Sequence, residues 1–399
     1  MGAVTSGTSG GSQSLLYRIF NDKETRSVAI QVLTISLLFA FFFYIIRNAV
    51  INLEAIGKGY SFSFLWEPAS YDISQRLIEY DSRSTHMRAM FVGILNTILV
   101  AFCGIILATV VGFVLGVARL SHNWLINRVV YVYIEYVRNV PVLLHILMVH
   151  GMIINTLPRP KDAINIEDTF FLSNRGFYVP KPLFEPAMWA VFIAFVIGVG
   201  FSIWFSRYAK KVQDATGKIY PVVWISLGAV ILFPILVYLV VGQPITLEYA
   251  VLKGFNYKGG LVLRPEFLAL TLALALYTAA FIAEIVRAGI QAISHGQTEA
   301  SYALGIRPNR TMRLIIIPQA LRVIIPPLSS QYLNLTKNSS LAIAIGYMDI
   351  VGTIGGVSLN QTGREMECMT IVLLLYLSFS LSISAFMNWY NKKMKLVER

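Results

Sequence analysis

Charged residues and cysteines are scarce in this sequence. Only 14% of the 399 residues are charged, 56% are hydrophobic, and the mean hydropathy is +0.64. Soluble domains carry about 25% charged residues, so the composition argues against a soluble protein. Cys103 and Cys368 fall in or beside apolar stretches, and the five histidines do not cluster. A disulfide framework and a metal site are therefore both unsupported.

Motifs for nucleotide binding and for secretion are also missing. No G-x-x-x-x-G-K-[ST] segment occurs, so ATP chemistry is not expected on this chain. Residues 1–26 have no apolar core of a signal peptide, so we expect the first apolar stretch to stay as an anchor. Residues 5–14 are rich in Gly, Ser and Thr and are expected to be disordered. A membrane-embedded enzyme is disfavoured because no nucleophile–base or metal constellation is evident.

Long apolar stretches are the dominant feature. Because lipid cannot satisfy exposed backbone groups, a helical span needs roughly 20 apolar residues. Eight stretches meet this requirement at least approximately: 28–46, 91–117, 129–156, 188–205, 221–242, 267–286, 314–346 and 369–389. We therefore predict an all-α, polytopic integral membrane protein with about eight transmembrane helices. The stretch 314–346 is unusually long, and we expect Pro318, Pro326 and Pro327 to break it.

The net charge of +12 is unevenly distributed. With a cytoplasmic N-terminus and eight alternating spans, the cytoplasmic segments contain 18 basic residues and five acidic ones. An excess of Lys and Arg in cytoplasmic loops is the positive-inside rule. We interpret the basic pI as a sign of topology, with both termini cytoplasmic, and not as nucleic-acid binding.

The most informative cytoplasmic segment is 295–310, with the sequence HGQTEASYALGIRPNR. Thr298 is predicted as a helix N-cap, which places Glu299 where a helix favours negative charge. Gly305 suits the turn after the helix, and Pro308 suits the first turn of the next helix. The small residues of this helix would allow another protein to approach closely. We predict a helix that docks in the groove of a partner.

This segment resembles the EAA loop of ABC importer permeases, whose pattern is E-A-A-x3-G-x9-I-x-L-P. The matching positions are Glu299, Ala300, Ser301, Gly305, Ile315, Ile317 and Pro318. Ser301 replaces the second alanine and Ile317 replaces the leucine. The resemblance implies that an ATPase contacts the loop at 295–318 through Gly296, Thr298, Glu299, Ala300, Ser301, Gly305 and Pro318.

Further segments resemble the polar amino-acid branch of these permeases, the histidine/glutamine type. They are 133–141, 283–297, 318–322 and 337–341, and the likeness covers about 89–156 and 265–390. The chain differs from that branch by an extra first span and by an insertion at about 157–264. In this enlarged form it resembles the larger permeases of general L-amino-acid or glutamate/glutamine/aspartate/asparagine importers.

The resemblance implies a domain organisation and a set of partners. A cytoplasmic tail (1–27), a first span with a periplasmic segment (28–88), a permease domain (89–390) and a basic tail (391–399) are expected in the inner membrane. The type I ABC importer fold implies an ABC ATPase dimer, a second permease subunit expected to be a paralogue, a periplasmic amino-acid-binding protein, the amino-acid substrate and membrane lipid. Transport would be ATP-driven alternating access. No cofactor is expected in this chain, since ATP and magnesium would bind the ATPase.

Two pairs of opposite charges have the same spacing near the inner ends of spans: Glu135 with Arg138, and Glu284 with Arg287. Ionisable residues in spans usually face a bundle interior or a water-filled path. At this spacing each pair can also neutralise itself on one helix face. A structural ion pair and a direct role in the translocation pathway therefore both stay open. Asn139 belongs to the same candidate pathway, and Pro141 is expected to kink its span.

The seventh span contains a polar stripe. Ser330, Asn334 and Lys337 recur at steps of four and three, and Asn338 lies alongside. A lysine can bind the carboxylate of an amino acid and asparagine oxygens its amine. The same stripe could instead be a polar seam between two permease subunits. The main alternative function is a self-sufficient channel or secondary transporter that uses this stripe; it would not need the 295–313 segment, and no internal repeat supports it.

Overall fold

The computed structural model describes residues 22–55, 57 and 59–394. The predicted disorder at 5–14, most of the N-terminal tail and the end of the basic tail lie outside the described residues. Thirteen α-helices follow one another within the described part of the chain: α1 (Lys23–Ala55), α2 (His86–Ala118), α3 (Trp124–Asn139), α4 (Val142–Thr156), α5 (Met188–Thr216), α6 (Val222–Leu227), α7 (Phe233–Val240), α8 (Pro265–Gln291), α9 (His295–Ala303), α10 (Pro308–Thr311), α11 (Ile317–Asn338), α12 (Leu359–Thr362) and α13 (Glu365–Met394).

Non-α helical segments extend several of these helices. A π-helical segment, Gly228–Leu232, joins α6 to α7, and a second, Met312–Ile316, joins α10 to α11. The 3₁₀ segment Ser339–Ile345 continues α11, and the π-helical segment Val351–Ser358 precedes α12. Seven helical stretches of the described residues are long and apolar enough to cross a membrane, and the bent pair α3–α4 makes eight if it is one span. The all-α, polytopic prediction is confirmed.

Prolines act differently in the two spans where they were expected to interrupt a helix. Helices α3 and α4 meet at 109° around Pro141, so the expected kink is confirmed as a sharp elbow. Pro318 lies in the first turn of α11, directly after a π-helical segment, so the helix changes its hydrogen-bond pattern near this proline without ending. Pro326 and Pro327 lie inside α11 without ending it, so the predicted break there is wrong. Neighbouring helices can hold such a proline-containing helix together in a membrane protein.

The core is built around α8, which packs along α2. Leu270, Leu274 and Ile282 of α8 are fully buried. Gly112 and Gly116 of α2 allow the two backbones to approach closely: a Cβ on Gly112 would lie 2.6 Å from Cβ of Ile282. This spacing of small residues is a common device for close packing of membrane helices. Helices α4 and α11 also pack against α8.

Eight short strands occur among the described residues, and the sequence analysis did not predict them. They are β1 (Ile164–Ile166), β2 (Phe170–Ser173), β3 (Gly176–Val179), β4 (Lys181–Phe184), β5 (Ile245–Glu248), β6 (Val251–Lys253), β7 (Asn256–Lys258) and β8 (Leu261–Leu263). One antiparallel sheet has the order β1-β2-β3-β8, and β4-β5 and β6-β7 form two-stranded ribbons. Strands β3 and β4 precede α5 and pair with β8 and β5, which follow α7. The strands thus join the segments before and after α5–α7. We call the end of the bundle formed by these strands and the connections 59–85 and 346–364 the strand-bearing end.

The helices inside the 157–264 insertion pack on each other. Helix α5 lies against α6, α7 and the π-helical segment between them. The approach is closest at Gly198, where a Cβ would lie 2.0 Å from the carbonyl oxygen of Ala229. The insertion therefore adds a helical hairpin whose two ends are tied together by paired strands.

Candidate coupling helix and translocation pathway

Helix α9 is capped by a different residue from the one predicted. Ser294 has extended backbone, and its Oγ accepts a hydrogen bond from the N–H of Gly296 at 3.3 Å. Thr298 lies inside the helix, so its prediction as the N-cap is wrong, and Glu299 is correspondingly farther from the helix start. Helix formation simply begins at the earlier serine, which has the same capping chemistry.

The predicted turn after this helix is confirmed. Gly305 has a φ of +71°, and the N–H of Ile306 donates to the carbonyl of Ser301 at 3.0 Å. This bond pattern closes a helix C-terminus when a glycine adopts the left-handed conformation. Pro308 opens α10 as predicted.

The predicted small residues of α9 and its turn are exposed except for Ser301, and large apolar residues are exposed beside them. Ser301 is buried, and its hydroxyl donates to the carbonyl of Gln297 at 2.6 Å, so it faces inward. Ala300 is exposed, together with Tyr302 and Leu304, whose exposed fractions are 50% and 79%. Sequence reasoning missed Tyr302 and Leu304. Two large apolar residues beside a glycine turn, outside any span, were the available signal.

Helix α9 is linked to α11 by a short path. The side chain of Gln319, next to Pro318 in the first turn of α11, donates to Gln297 Oε1 at 3.3 Å. Gly296 and Glu299 lie on the exposed surface of α9. The coupling candidates other than Gly305 and Pro318 therefore lie on one short helix, which touches α10, the following π-helical segment and the start of α11.

Only one of the two predicted charge pairs forms an ion pair in the described residues. Nε of Arg287 lies 3.0 Å from both carboxylate oxygens of Glu284, and a second guanidinium nitrogen also contacts Glu284. Glu135 is exposed and forms no ion pair with Arg138. The guanidinium of Arg138 lies 5.6 Å from the ring centroid of Phe281 instead.

The elbow between α3 and α4 brings aromatic rings of α3, α4 and α8 together. The His145 ring contacts the carbonyl of Pro141 at 3.2 Å and lies between the rings of Tyr136 and Tyr277, with centroids 5.8 and 5.7 Å away. Asn139, at the end of α3, donates to the carbonyl of Glu135 at 2.7 Å. Sequence reasoning missed His145, Tyr277 and Arg119, which interacts electrostatically with Glu284. Their contacts join separate helices, so no spacing in the sequence could indicate them.

The polar stripe on α11 lies on the surface of this chain. Ser330, Asn334 and Lys337 are exposed on one face, whereas Ile324, Leu328 and Leu335 are buried on the other. Asn338 is half-buried at the edge of the stripe. Within the described residues, the Lys337 ammonium has no ion pair, and no hydrogen bond or ion pair joins the stripe to the Glu284 pair. The predicted stripe is therefore real, but it is separate from the charges at the elbow.

A buried carboxylate at the strand-bearing end was not anticipated. Asp349 is fully buried; its Oδ1 accepts from the N–H of Gly352 at 2.8 Å and its Oδ2 from the hydroxyl of Tyr376 at 2.9 Å. Burial raises the pKa of Asp349 to about 6, although both hydrogen bonds act in the opposite direction. These contacts connect the 346–364 segment to α13.

Known proteins resemble this chain over nearly its full length. A family model described as "Binding-protein-dependent transport system inner membrane component" matches residues 190–396. The general L-amino acid transport system permease protein AapQ of Rhizobium johnstonii is 47% identical over 393 residues, covering 98% of this chain and 97% of that protein. The glutamate/glutamine/aspartate/asparagine transport system permease protein BztB of Rhodobacter capsulatus is 48% identical over 415 residues, covering 96% and 97%. The putative amino-acid ABC transporter permease protein YhdX of Escherichia coli is 43% identical over 380 residues, covering 95% and 97%. The chain therefore belongs to the family of binding-protein-dependent transport-system inner membrane components, among the permease subunits of amino-acid ABC importers.

Proposed function

We propose that this permease is driven by ATP hydrolysis on a separate ATPase subunit that docks on α9. The observation that supports this most strongly is the exposure of Tyr302, on a short helix beyond the membrane spans, and of Leu304, directly after it. A nine-residue helix held at both ends, by Ser294 and by Gly305, and packed on few neighbours suits insertion into a partner's groove. ATP and magnesium would bind that partner, since this sequence has no phosphate-binding loop.

Movement of α9 would be transmitted to the translocation pathway by α11. Only Leu304 to Arg307 separate α9 from α10, and the Gln297–Gln319 contact joins α9 to the start of α11. Closure of an ATPase dimer would therefore displace α11, whose far part contains the polar stripe. In this proposal that displacement changes the side from which the pathway is open.

The stripe on α11 supports a second permease subunit. Lys337 is exposed on the surface of the single chain and lies within a span. A lysine facing lipid at the centre of a span costs about 2.5–3.5 kcal/mol, so this face is expected to meet water or protein. We propose that a paralogous permease covers it and that Ser330, Asn334 and Lys337 line the path between the two subunits. Lys337 would attract the carboxylate of the amino acid.

The substrates that we propose are based on the relatives, and the orientation that we propose is based on the charge distribution. The two most similar relatives named above are a general L-amino acid permease and a glutamate/glutamine/aspartate/asparagine permease. We propose a broad range of L-amino acids that includes the acidic ones and their amides. The strand-bearing end would face the periplasm, where a binding protein delivers the substrate, and both termini would be cytoplasmic in a bacterial inner membrane.

Thiol labelling tests the orientation in a variant without Cys103 and Cys368. Asn309→Cys, beside α9, should react with a membrane-impermeant maleimide only in inside-out vesicles. Lys258→Cys, on β7, should react only in right-side-out vesicles. The opposite pattern would contradict the proposed orientation.

Cross-linking and uptake test the proposed coupling. A photo-crosslinking residue at position 304 should capture a peptide from a protein with a G-x-x-x-x-G-K-[ST] segment, and the same residue at position 258 should not. Uptake of labelled L-glutamine into vesicles should require ATP. Uptake by this chain alone, without an ATPase, would support the rival channel or secondary transporter.

A further inference from the structure

A small cavity at the strand-bearing end is lined by charged and polar residues outside the pathway described above. Its volume is about 200 Å³, and Asp72, Gln75, Arg264, Glu266 and Tyr347 contribute to its lining. This volume is several times the ~30 Å³ that a water molecule occupies in the liquid. It is below the roughly 300 Å³ at which pockets for drug-sized ligands begin. The cavity therefore has the size for a small polar molecule.

Asn96 of α2 holds the walls of this cavity in place. Its side-chain amide donates to the carbonyl of Gln75 at 2.7 Å and to the carbonyl of Met348 at 2.9 Å. The hydroxyl of Tyr347 donates to the backbone carbonyl of Asn96 at 3.1 Å. Asn96 is fully buried, so the 72–75 segment and the 346–348 turn are anchored to the same point of the core. The cavity is thus a built feature and not a crevice between mobile loops.

Two buried polar atoms at this cavity lack hydrogen-bond partners within the described residues. Gln75 is more than nine-tenths buried, and its Oε1 is unpaired. Nε of Arg264 is also buried and unpaired. Most buried polar atoms in proteins do have a partner, so each exception needs an explanation, such as strain or a bound water or ion. Gln75 Oε1 requires a hydrogen-bond donor, and Nε of Arg264 requires an acceptor.

Two charged residues at the cavity also lack ion-pair partners among the described residues, and they have opposite charges. Arg264 and Glu266 both line it, and within the described residues neither forms an ion pair with the other or with a third residue. A ligand that satisfied both would have to contain an anionic and a cationic group. A guanidinium binds a carboxylate well, and a carboxylate with an amide oxygen binds an ammonium.

We infer that this cavity is an outer binding subsite for the α-amino and α-carboxylate groups of an amino acid. Arg264 would bind the carboxylate, and Glu266 would accept hydrogen bonds from the ammonium. A second cavity of about 270 Å³ is also lined by Arg264 and Glu266, so it leaves room for the side chain of the substrate. This inference rests on the proposed amino-acid transport. It adds a binding site that the substrate would occupy before it reaches the stripe on α11.

The test measures protection of a thiol at the cavity wall. Ser74 lines the cavity and is exposed, so Ser74→Cys in a variant without Cys103 and Cys368 should react with a small maleimide. The full chain is kept in right-side-out membrane vesicles depleted of ATP, and the probes are L-alanine and L-glutamine. If the dissociation constant is about 1 mM, ~10 mM probe should slow labelling about tenfold. Propionate and ethylamine, each with one of the two charged groups, should protect weakly.

Variants then assign the protection to the cavity. Arg264→Gln and Glu266→Gln should each abolish it, whereas Glu248→Gln, an exposed carboxylate on β5, should not. Lys258→Cys serves as a labelling control that no probe should protect. An unchanged basal labelling rate of Ser74→Cys shows that a variant still has the cavity. In transport, Arg264→Gln should raise the KM for uptake more than it lowers the maximal rate.

Three results would overturn the inference. Labelling unaffected by either amino acid would show that the cavity holds only water. Equal protection by propionate and L-alanine would indicate an anion site. Protection that survives Arg264→Gln would place the ligand elsewhere. In each of these cases ATP-dependent uptake by the unmodified chain would persist, whereas failure of the proposed function would abolish uptake whatever the labelling shows.

Discussion

Arg287 and Glu284 face each other one helical turn apart on α8, with Nε of the arginine 3.0 Å from both oxygens of the carboxylate. The pair lies where α8 meets the α3–α4 elbow, close to Arg119 and Arg138. One carboxylate thus contacts one guanidinium group and interacts electrostatically with two more at one end of a membrane span. Its removal should therefore affect more than a single contact.

Replacing one partner of this pair should destabilise the protein more than replacing both. Glu284→Gln leaves Arg287 without its counter-ion and should cost about 1–3 kcal/mol, less than the ~3–5 kcal/mol of a fully buried pair, because about 30% of each side chain is exposed. The double variant Glu284→Gln/Arg287→Met should recover part of the loss. Thermal unfolding in detergent compares the stabilities of the wild type, Glu284→Gln and the double variant. Glu135→Gln is the control that breaks no ion pair. Uptake restored along with stability would identify a structural pair, and stable protein without uptake would identify a pathway role.

Gly305→Val should reduce uptake sharply while the protein still inserts. No atom lies within 4 Å of a Cβ at this position, so the variant causes strain and not crowding within the chain. A β-branched residue at a φ of +71° costs about 1–2 kcal/mol and should unwind the end of α9. Gly305→Asn is the control, since asparagine tolerates this conformation better. Normal ATP-dependent uptake by Gly305→Val would contradict the docking role of α9.

Gly112→Ala should lower the stability of the bundle. The new Cβ would lie 2.6 Å from Ile282, so α2 and α8 would have to move apart, at a cost of about 1–3 kcal/mol. Gly200→Ala on α5 is a matched control, because no atom lies within 4 Å of its Cβ and alanine favours a helix. The melting temperatures of the two variants in detergent should shift in opposite directions. Equal melting temperatures would show that the α2–α8 contact is looser than described.

Asp349 should make the protein less stable as the pH rises through the weakly acidic range. Its folded-state pKa is raised by burial from the usual 3.8 to about 6. The stabilising contribution is therefore complete below pH 3.8, where the group is protonated in both states, and is lost as the pH rises through 6. Asp349→Asn should remove this dependence, because its amide can still accept from Gly352 and can donate to Tyr376.

Melting temperatures measured from about pH 2 to about pH 7 test this pH dependence. Asp81→Asn is the control of opposite sign, since a hydrogen bond from Ser84 lowers the pKa of Asp81. In the wild type, Asp81 contributes a stabilisation that is present at neutral pH and is lost in acid. Asp81→Asn should lack this contribution. Identical pH profiles for wild type and Asp349→Asn would refute the raised pKa of Asp349 in the folded state.

Lys337→Met should reduce transport without reducing stability. Methionine keeps much of the apolar stem and removes a charge that has no ion pair within the described residues. If Lys337 binds the carboxylate of the substrate, uptake should fall and stimulation of the ATPase by substrate should weaken. Unchanged uptake kinetics in a stable complex would falsify the substrate role and favour a polar seam between subunits.

The spans and the stripe could be predicted because they depend on local chemistry. Each of the eight apolar stretches coincides with a helix or a bent helix pair, since lipid imposes the same length requirement on every span. The stripe of Ser330, Asn334 and Lys337 follows from helical periodicity alone. Gly305 and Pro308 have the turn roles expected from their restricted backbone preferences.

Tertiary structure decided the features that depend on contacts between distant residues. The same three-residue spacing produced an ion pair at Glu284 and Arg287, but not at Glu135 and Arg138, because Arg138 lies against Phe281 of another helix. The cavity of Gln75, Arg264 and Glu266 joins two segments that are nearly 200 residues apart, and Asn96 anchors the segment that contains Gln75. The sequence by itself therefore determined the class, the spans and the polar face of α11, where each residue's own chemistry suffices. Which charges meet, and which stay available to a ligand, depended on how the helices pack.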